Sequence, residues 1–117
     1  MKRGDIYTFA LDPTLGSEQR KTRMCVVVRR DAPDEVDEKR NPMTIVVPLT
    51  DAKGRRGNLL NVFVPRGTAG TTKDSLIVVA QIRAVDKKRL VSEMLGSLPA
   101  ETLRLVDVGL KAVLSLD

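Results

Sequence analysis

Between Gly4 and Ile82 the chain returns five times to a short apolar run rich in β-branched residues, and each run is closed within a few residues by glycine, proline or asparagine. The runs are Gly4 to Leu11, Met24 to Val28, Met43 to Thr50, Leu59 to Pro65, and Ser75 to Ile82. They are too short for helices and too regularly punctuated for a parallel α/β arrangement, so they read as strands joined by turns. Only Tyr7, Phe9 and Phe63 are aromatic, which leaves Val, Leu and Ile to fill the interior. A chain of 117 residues can bury a modest core without disulfides or metal, and one domain over residues 1–117 is the expectation.

Within that pattern Met24–Val28 is too apolar to have one wet face and reads as a central strand. Pro48 limits ladder pairing near the end of the third run. Residues 31–42 read as a polar loop with solvated acids, Asp51 to Asn58 as a basic glycine turn, and Gly67 to Gly70 as another turn. Residues 87–96 fit a short strand or a helical turn equally. Beyond Pro99, which suits a helix start, Leu103, Val106, Leu110, Val113 and Leu114 recur at helical spacing. Leu105, Val108 and Leu116 form a second apolar edge, so this helix either sits deep or meets a second chain; a homodimer is expected. The expected fold is mainly β with α: a small, strongly bent antiparallel sheet or SH3-like barrel with a C-terminal helix.

Twenty Lys and Arg stand against fifteen Asp and Glu, a formal charge of +5. Five of the acids fall in residues 31–40 with two cations, so the rest of the chain carries eighteen cations against ten acids, +8. A basic body with one acidic segment suits a polyanionic partner, nucleic acid or an acidic protein segment. Histidine is absent and Cys25 is the only cysteine. That excludes imidazole acid–base pairs, Ser-His-Asp and Cys-His triads, and zinc sites built on His or paired thiolates. Cys25 lies in an apolar run and reads as a buried, inert thiol. No cofactor is expected. With neither a signal peptide nor a run long enough to span a bilayer, the expected location is the cytoplasm.

The stretch Gly16-Ser17-Glu18-Gln19-Arg20-Lys21-Thr22-Arg23 is a poor core element and a good functional loop. Asp12-Pro13-Thr14, then Gly16-Ser17-Glu18-Gln19 and Arg23, resembles the first loop of MazF/PemK-type toxins. Arg3-Gly4-Asp5-Ile6 is similar to that family's opening strand. Val46-Val47-Pro48-Leu49-Thr50 is similar to its third strand, ending in the family's active-site threonine. Asp74 to Arg83 followed by Asp86-Lys87-Lys88-Arg89-Leu90 is similar to its last core strand and exit. Met24 stands where the family usually has proline, and Ala80 where an acid is common. The resemblance implies the toxin of a type II toxin–antitoxin system: a dimeric, sequence-selective, metal-independent endoribonuclease neutralised by a small acidic antitoxin.

The chemistry follows from RNA itself. The 2′-OH beside each phosphate is an internal nucleophile, so cleavage needs a proton acceptor, positive charge for the phosphorane and a proton for the leaving 5′-oxygen. Arg23 is the candidate for the charge, because its fork matches two phosphoryl oxygens and never deprotonates at neutral pH; the plain alternative is a surface salt bridge. Thr50 offers a hydroxyl to a phosphoryl oxygen, or is simply a strand residue. Glu18 is the loop's one carboxylate and either the general base or a partner for Arg20 or Lys21. Ser17, Gln19 and Gln81 are placed as substrate-binding residues, the two glutamines as readers of unstacked base edges. Lys53, Arg55 and Arg56 either track phosphates or make a polar turn. Competing readings are a non-enzymatic, CcdB-like toxin that poisons gyrase and a silent SH3-like binding module.

Overall fold

The computed structural model describes residues 1–11 and 22–117. Its strands are β1 (Asp5–Ala10), β2 (Thr22–Val27), β3 (Met43–Asp51), β4 (Asn61–Val64), β5 (Ser75–Val78), β6 (Arg83–Asp86) and β7 (Gly96–Ser97). The helices are α1 (Glu35–Arg40) and α2 (Ala100–Val113), with 3₁₀ turns at Val79–Gln81 and Lys87–Arg89. The strands pair antiparallel in the order β4-β5-β3-β2-β1-β7, and β6 also pairs with β3. This is the strongly bent sheet with a C-terminal helix that the turn-punctuated runs predict.

β3 is the spine. Its first half pairs with β6, from Met43↔Asp86 to Val46↔Arg83, and its last residues pair with β5, from Leu49↔Ile77 to Asp51↔Ser75. Going from Val46 to Leu49, β3 advances three residues while its partner advances six, from Arg83 back to Ile77. The 3₁₀ turn Val79–Gln81 takes up the surplus and bends the sheet there. The run Ser75–Ile82, expected as one strand, is therefore β5 followed by that turn. Continuous apolarity hid the break, because Val79 is buried within the turn as fully as Ile77 in the strand.

The sheet has a core on each face. Ile6, Val26, Val47, Leu49, Val64 and Ile77 pack with Val106 and Leu110 of α2 on one side. Phe9, Leu11, Cys25, Val27, Val46 and Val85 form a smaller cluster on the other. Met24–Val28 is buried on both faces from Cys25 onward, as expected of a central strand. α2 lies close on its support: a Cβ at Gly109 would come within 2.7 Å of the Leu59 carbonyl oxygen. A glycine in a helix interior costs about 1 kcal/mol of propensity, and here it is what permits the approach. Of the expected second apolar edge, Leu105 and Val108 are exposed on α2, while Leu116 is exposed beyond the helix end, in the segment after the C-cap Leu114.

The segment 31–42 is not simply a loop. It contains α1, whose N-cap Asp34 accepts the Asp37 backbone N–H at 2.8 Å. The helix is one and a half turns with no buried residue, so apolar periodicity could not reveal it; the cap, the acids of its first turn and Lys39-Arg40 in its last turn were the available signal. Nor are its acids all solvated. Glu38 accepts from the N-terminal ammonium at 2.9 Å and lies 3.4 Å from Lys87 Nζ. Its carboxyl is held below the ordinary range chiefly by that ammonium hydrogen bond, and Lys87 adds to the effect. Among the described residues no helix is long and apolar enough to cross a membrane.

Candidate active site

The ladder between β2 and β3 runs Val27↔Val46, Val26↔Val47, Cys25↔Pro48 and stops. Pro48 has no N–H to carry it on. Two residues further along the same register stand Arg23 on β2 and Thr50 on β3. Strand alternation puts Arg23 on the face of Cys25 and Val27, and Thr50 on the face of Val46. Both therefore belong to the face of the smaller core, at the end where the two strands part. β3 is still held on its other edge, with Thr50 opposite Leu76 of β5, and Arg23 is held by pairing with Phe9 of β1. The parting opens a cleft of about 310 Å³ lined by Thr22, Arg23, Met24, Leu49, Thr50, Asp51, Thr72, Lys73 and Ser75. Arg23, expected as the last residue of a loop, stands instead in β2, where pairing with β1 fixes its backbone on one side and the parting from β3 leaves the other open.

The floor is dry. Cys25 is fully buried two residues from Arg23, and its Sγ donates to the Arg23 carbonyl oxygen at 3.5 Å. Burial pushes the thiol up to about 12 against the opposing pull of Arg23 and Arg83, so it stays neutral. Two further cations brace the neighbouring strand end: Arg83 Nη1 donates to the Leu11 carbonyl oxygen at 3.2 Å, and Arg89 Nη1 to that of Ala10 at 3.4 Å. At the rim, Asp51 Oδ1 accepts the Lys53 backbone N–H at 2.9 Å, and its Oδ2 lies 3.7 Å from Lys73 Nζ. The Lys53 N–H chiefly, with the charges of Lys73 and Lys53, holds the Asp51 carboxyl below the ordinary aspartate range.

Of the residues singled out from sequence, Arg23 and Thr50 are brought together. Ser17, Glu18 and Gln19 lie outside the described residues. Lys53 lines an adjoining cleft, and Arg56 is exposed in the same turn. Arg55 is folded back on its own turn, its Nε donating to the Ala52 carbonyl oxygen and its Nη2 to that of Asp51, both at 2.9 Å. Gln81 is exposed in the 3₁₀ turn after β5 and is not among the residues lining the Arg23 cleft. Sequence reasoning misses Thr72, Lys73 and Ser75: Ser75 opens β5, which pairs with the far side of Thr50, and Thr72 and Lys73 lie in the turn just before it, neighbours that only the β3–β5 register reveals.

A cationic fork and a hydroxyl converging on one polar cleft are suited to binding a phosphodiester. The PemK-like, MazF-like toxin of type II toxin-antitoxin system matches residues 2–114 of the chain. Over 94 residues the chain is 34% identical to Endoribonuclease MazF of Staphylococcus epidermidis, covering 80% of this chain and 75% of that protein. Its fold superposes on a MazE-MazF crystal structure (Form-II) from Deinococcus radiodurans with a TM-score of 0.78 at 20% identity, covering 100% of this chain and 97% of the other. It also superposes on an endoribonuclease in complex with its cognate antitoxin from a Mycobacterial species, with a TM-score of 0.70 at 18% identity, covering 100% and 97%. With nearly its whole length matched, the chain belongs to the PemK-like, MazF-like toxins of type II toxin–antitoxin systems.

Proposed function

We propose that this toxin is an endoribonuclease that cuts single-stranded RNA by attack of the substrate's own 2′-OH. The observation that carries the reading is the meeting of Arg23 and Thr50 on one sheet face, in one cleft, where β2 and β3 part. The named activity of the Staphylococcus epidermidis relative supports it. In the proposed reaction the 2′-oxygen bonds to phosphorus and the bond from phosphorus to the 5′-oxygen breaks. The 2′ proton passes to Glu18, and the 5′-oxygen leaves with a proton from solvent. Arg23 neutralises the two non-bridging oxygens as charge gathers on them, and the Thr50 hydroxyl donates to one of them. The products are a 2′,3′-cyclic phosphate, opening to a 3′-phosphate, and a 5′-hydroxyl.

With the nucleophile supplied by the substrate, the reaction needs no metal-bound water, and cleavage is expected to survive EDTA. The deciding substrate is an RNA with a single 2′-deoxy nucleotide immediately 5′ of the scissile phosphate. It should be bound and left uncut; cutting at that bond would end the internal-nucleophile mechanism. The toxin acts as a homodimer in the cytoplasm. Its partner is an acidic, flexible antitoxin segment that folds on binding over the RNA groove, in keeping with the antitoxin complexes of its structural neighbours. Inhibition should be competitive with RNA and weaken as salt rises. An uncleavable RNA and the antitoxin bound together at one site would contradict this.

A further inference from the structure

The Arg23 cleft does not end at Asp51. A second cleft, of about 620 Å³, shares Asp51, Thr72 and Lys73 with it and continues to Lys53, Gly54, Pro65, Arg66 and Asp74. Lys73 stands at the junction. Its side chain is 72% exposed, and at 3.7 Å its ion pair with Asp51 is longer than the 2.7–2.9 Å of a charge-assisted hydrogen bond, so the ammonium can turn to another anion at little cost. Two carboxylates line the same cleft, but each is engaged by a main-chain amide. Asp51 accepts from Lys53 N, and Asp74 Oδ1 accepts from Arg66 N at 2.8 Å. Lys53 is held there at φ 49°, in the left-handed region. The acids thus pin the backbone of the two positions whose cationic side chains line the cleft.

We propose that Lys53, Arg66 and Lys73 form a second anion subsite that takes an RNA phosphodiester flanking the scissile one, so that the strand runs from Arg23 and Thr50 across Lys73. The subsite rests on the ribonuclease reading for its ligand, but its test does not require cleavage. It separates Lys53 from Arg55, whose guanidinium is committed to its own turn, and adds two cations far from it in sequence.

The probe is a single-stranded RNA made uncleavable by one 2′-deoxy nucleotide, its binding to the whole toxin followed by fluorescence anisotropy over a salt series. Removing all three charges (Lys53→Gln, Arg66→Gln, Lys73→Gln) should weaken binding roughly tenfold and flatten the log–log salt slope by about 0.7 per lost contact. Lys88→Gln, the loss of one charge at an exposed position elsewhere, should leave both unchanged, whereas each single variant of the three should flatten the slope. A methylphosphonate at one phosphate flanking the scissile one should reproduce part of the loss in the unsubstituted toxin and add nothing in the triple variant. An unchanged slope in the triple variant, or an equal loss from Lys88→Gln, would overturn the subsite even if the toxin cuts RNA. A flattened slope in a toxin that cuts nothing would keep the subsite and remove the cleavage reading. Failure to bind RNA would end both.

Discussion

β3 builds two concavities, one at each end and on opposite faces. Near its start, Ile45 joins Val28, Ile82, Val108 of α2 and its C-cap Leu114 in a mainly apolar cleft of about 780 Å³, rimmed by Arg29, Arg30, Arg104 and Lys111. At its other end, Thr50 joins Arg23 in a cleft less than half that size, lined mostly by polar side chains. On volume and apolarity alone the first would be chosen as the reaction site. The reaction proposed above reverses the choice: a phosphodiester is small and charged, and what it needs is a fixed cation and a hydroxyl, not apolar area. The large cleft offers what a protein surface needs, an apolar floor inside a basic rim.

The largest test of that division is Arg23→Ala, expected to lower kcat on RNA by about 10²–10³ with the fold intact. Arg23→Lys should be nearly as damaging, because a point charge cannot reproduce a two-pronged clamp on the phosphoryl oxygens. Wild-type cleavage by either variant would remove the small cleft from the reaction. Thr50→Val keeps the β-branched shape and deletes the hydroxyl; it should cost about tenfold to a hundredfold in kcat, with Thr50→Ser restoring most of it. Equal losses from Val and Ser would mean that Thr50 acts through packing instead.

The large cleft is tested by association. Val108 and Leu114 are about half exposed, so Val108→Glu with Leu114→Glu should leave the fold standing while setting two charges into an apolar contact. If a second copy covers this cleft, sedimentation should show the apparent mass halved for the double variant. A dimer of unchanged stability would move the interface elsewhere on the molecule.

Much of this layout was legible in the sequence for a physical reason: strands declare themselves by apolar runs and turns, and the second edge of α2 by helical spacing. Thr50 could be placed at a strand end because Pro48 announces where the ladder weakens. What stayed hidden is what depends on register. Nothing in Ser75–Ile82 marks the three-residue surplus that ends β5 at Val78, since every residue up to Val79 keeps an apolar or small side chain. Arg66 and Lys73 are unremarkable in sequence and become cleft residues only because β4 and β5 bring their flanking turns to the end of β3. Helix α1 escaped because it buries nothing, and burial is the signal that periodicity reads.

The smallest expected effect concerns Cys25, the one nucleophilic side chain beneath the small cleft. If that cleft works as a charged rim over a dry floor, its thiol contributes packing and nothing else. Cys25→Ala should then cleave RNA at pH 8 within about twofold of the unsubstituted rate, while losing about 1 kcal/mol of stability to the vacated volume. The pH dependence gives an independent reading. The thiol ionises near its ordinary 9.0 in the unfolded chain and at about 12 in the folded one. Below pH 9 it is neutral in both states, and the stability of burying it is fully present. From about pH 9 to about pH 12 only the unfolded chain releases the proton, so it binds fewer protons than the native state and stability falls as pH rises. Cys25→Ala lacks that loss, so the stability gap between the two proteins, measured by urea unfolding, should narrow across this window and can change sign at its upper end. A gap that stays constant, or a thiol that reacts with iodoacetamide in the folded protein as fast as in urea, would mean that the floor is wet. Loss of cleavage in a folded Cys25→Ala would go further, placing a protein nucleophile in the cleft where the 2′-OH is expected to act.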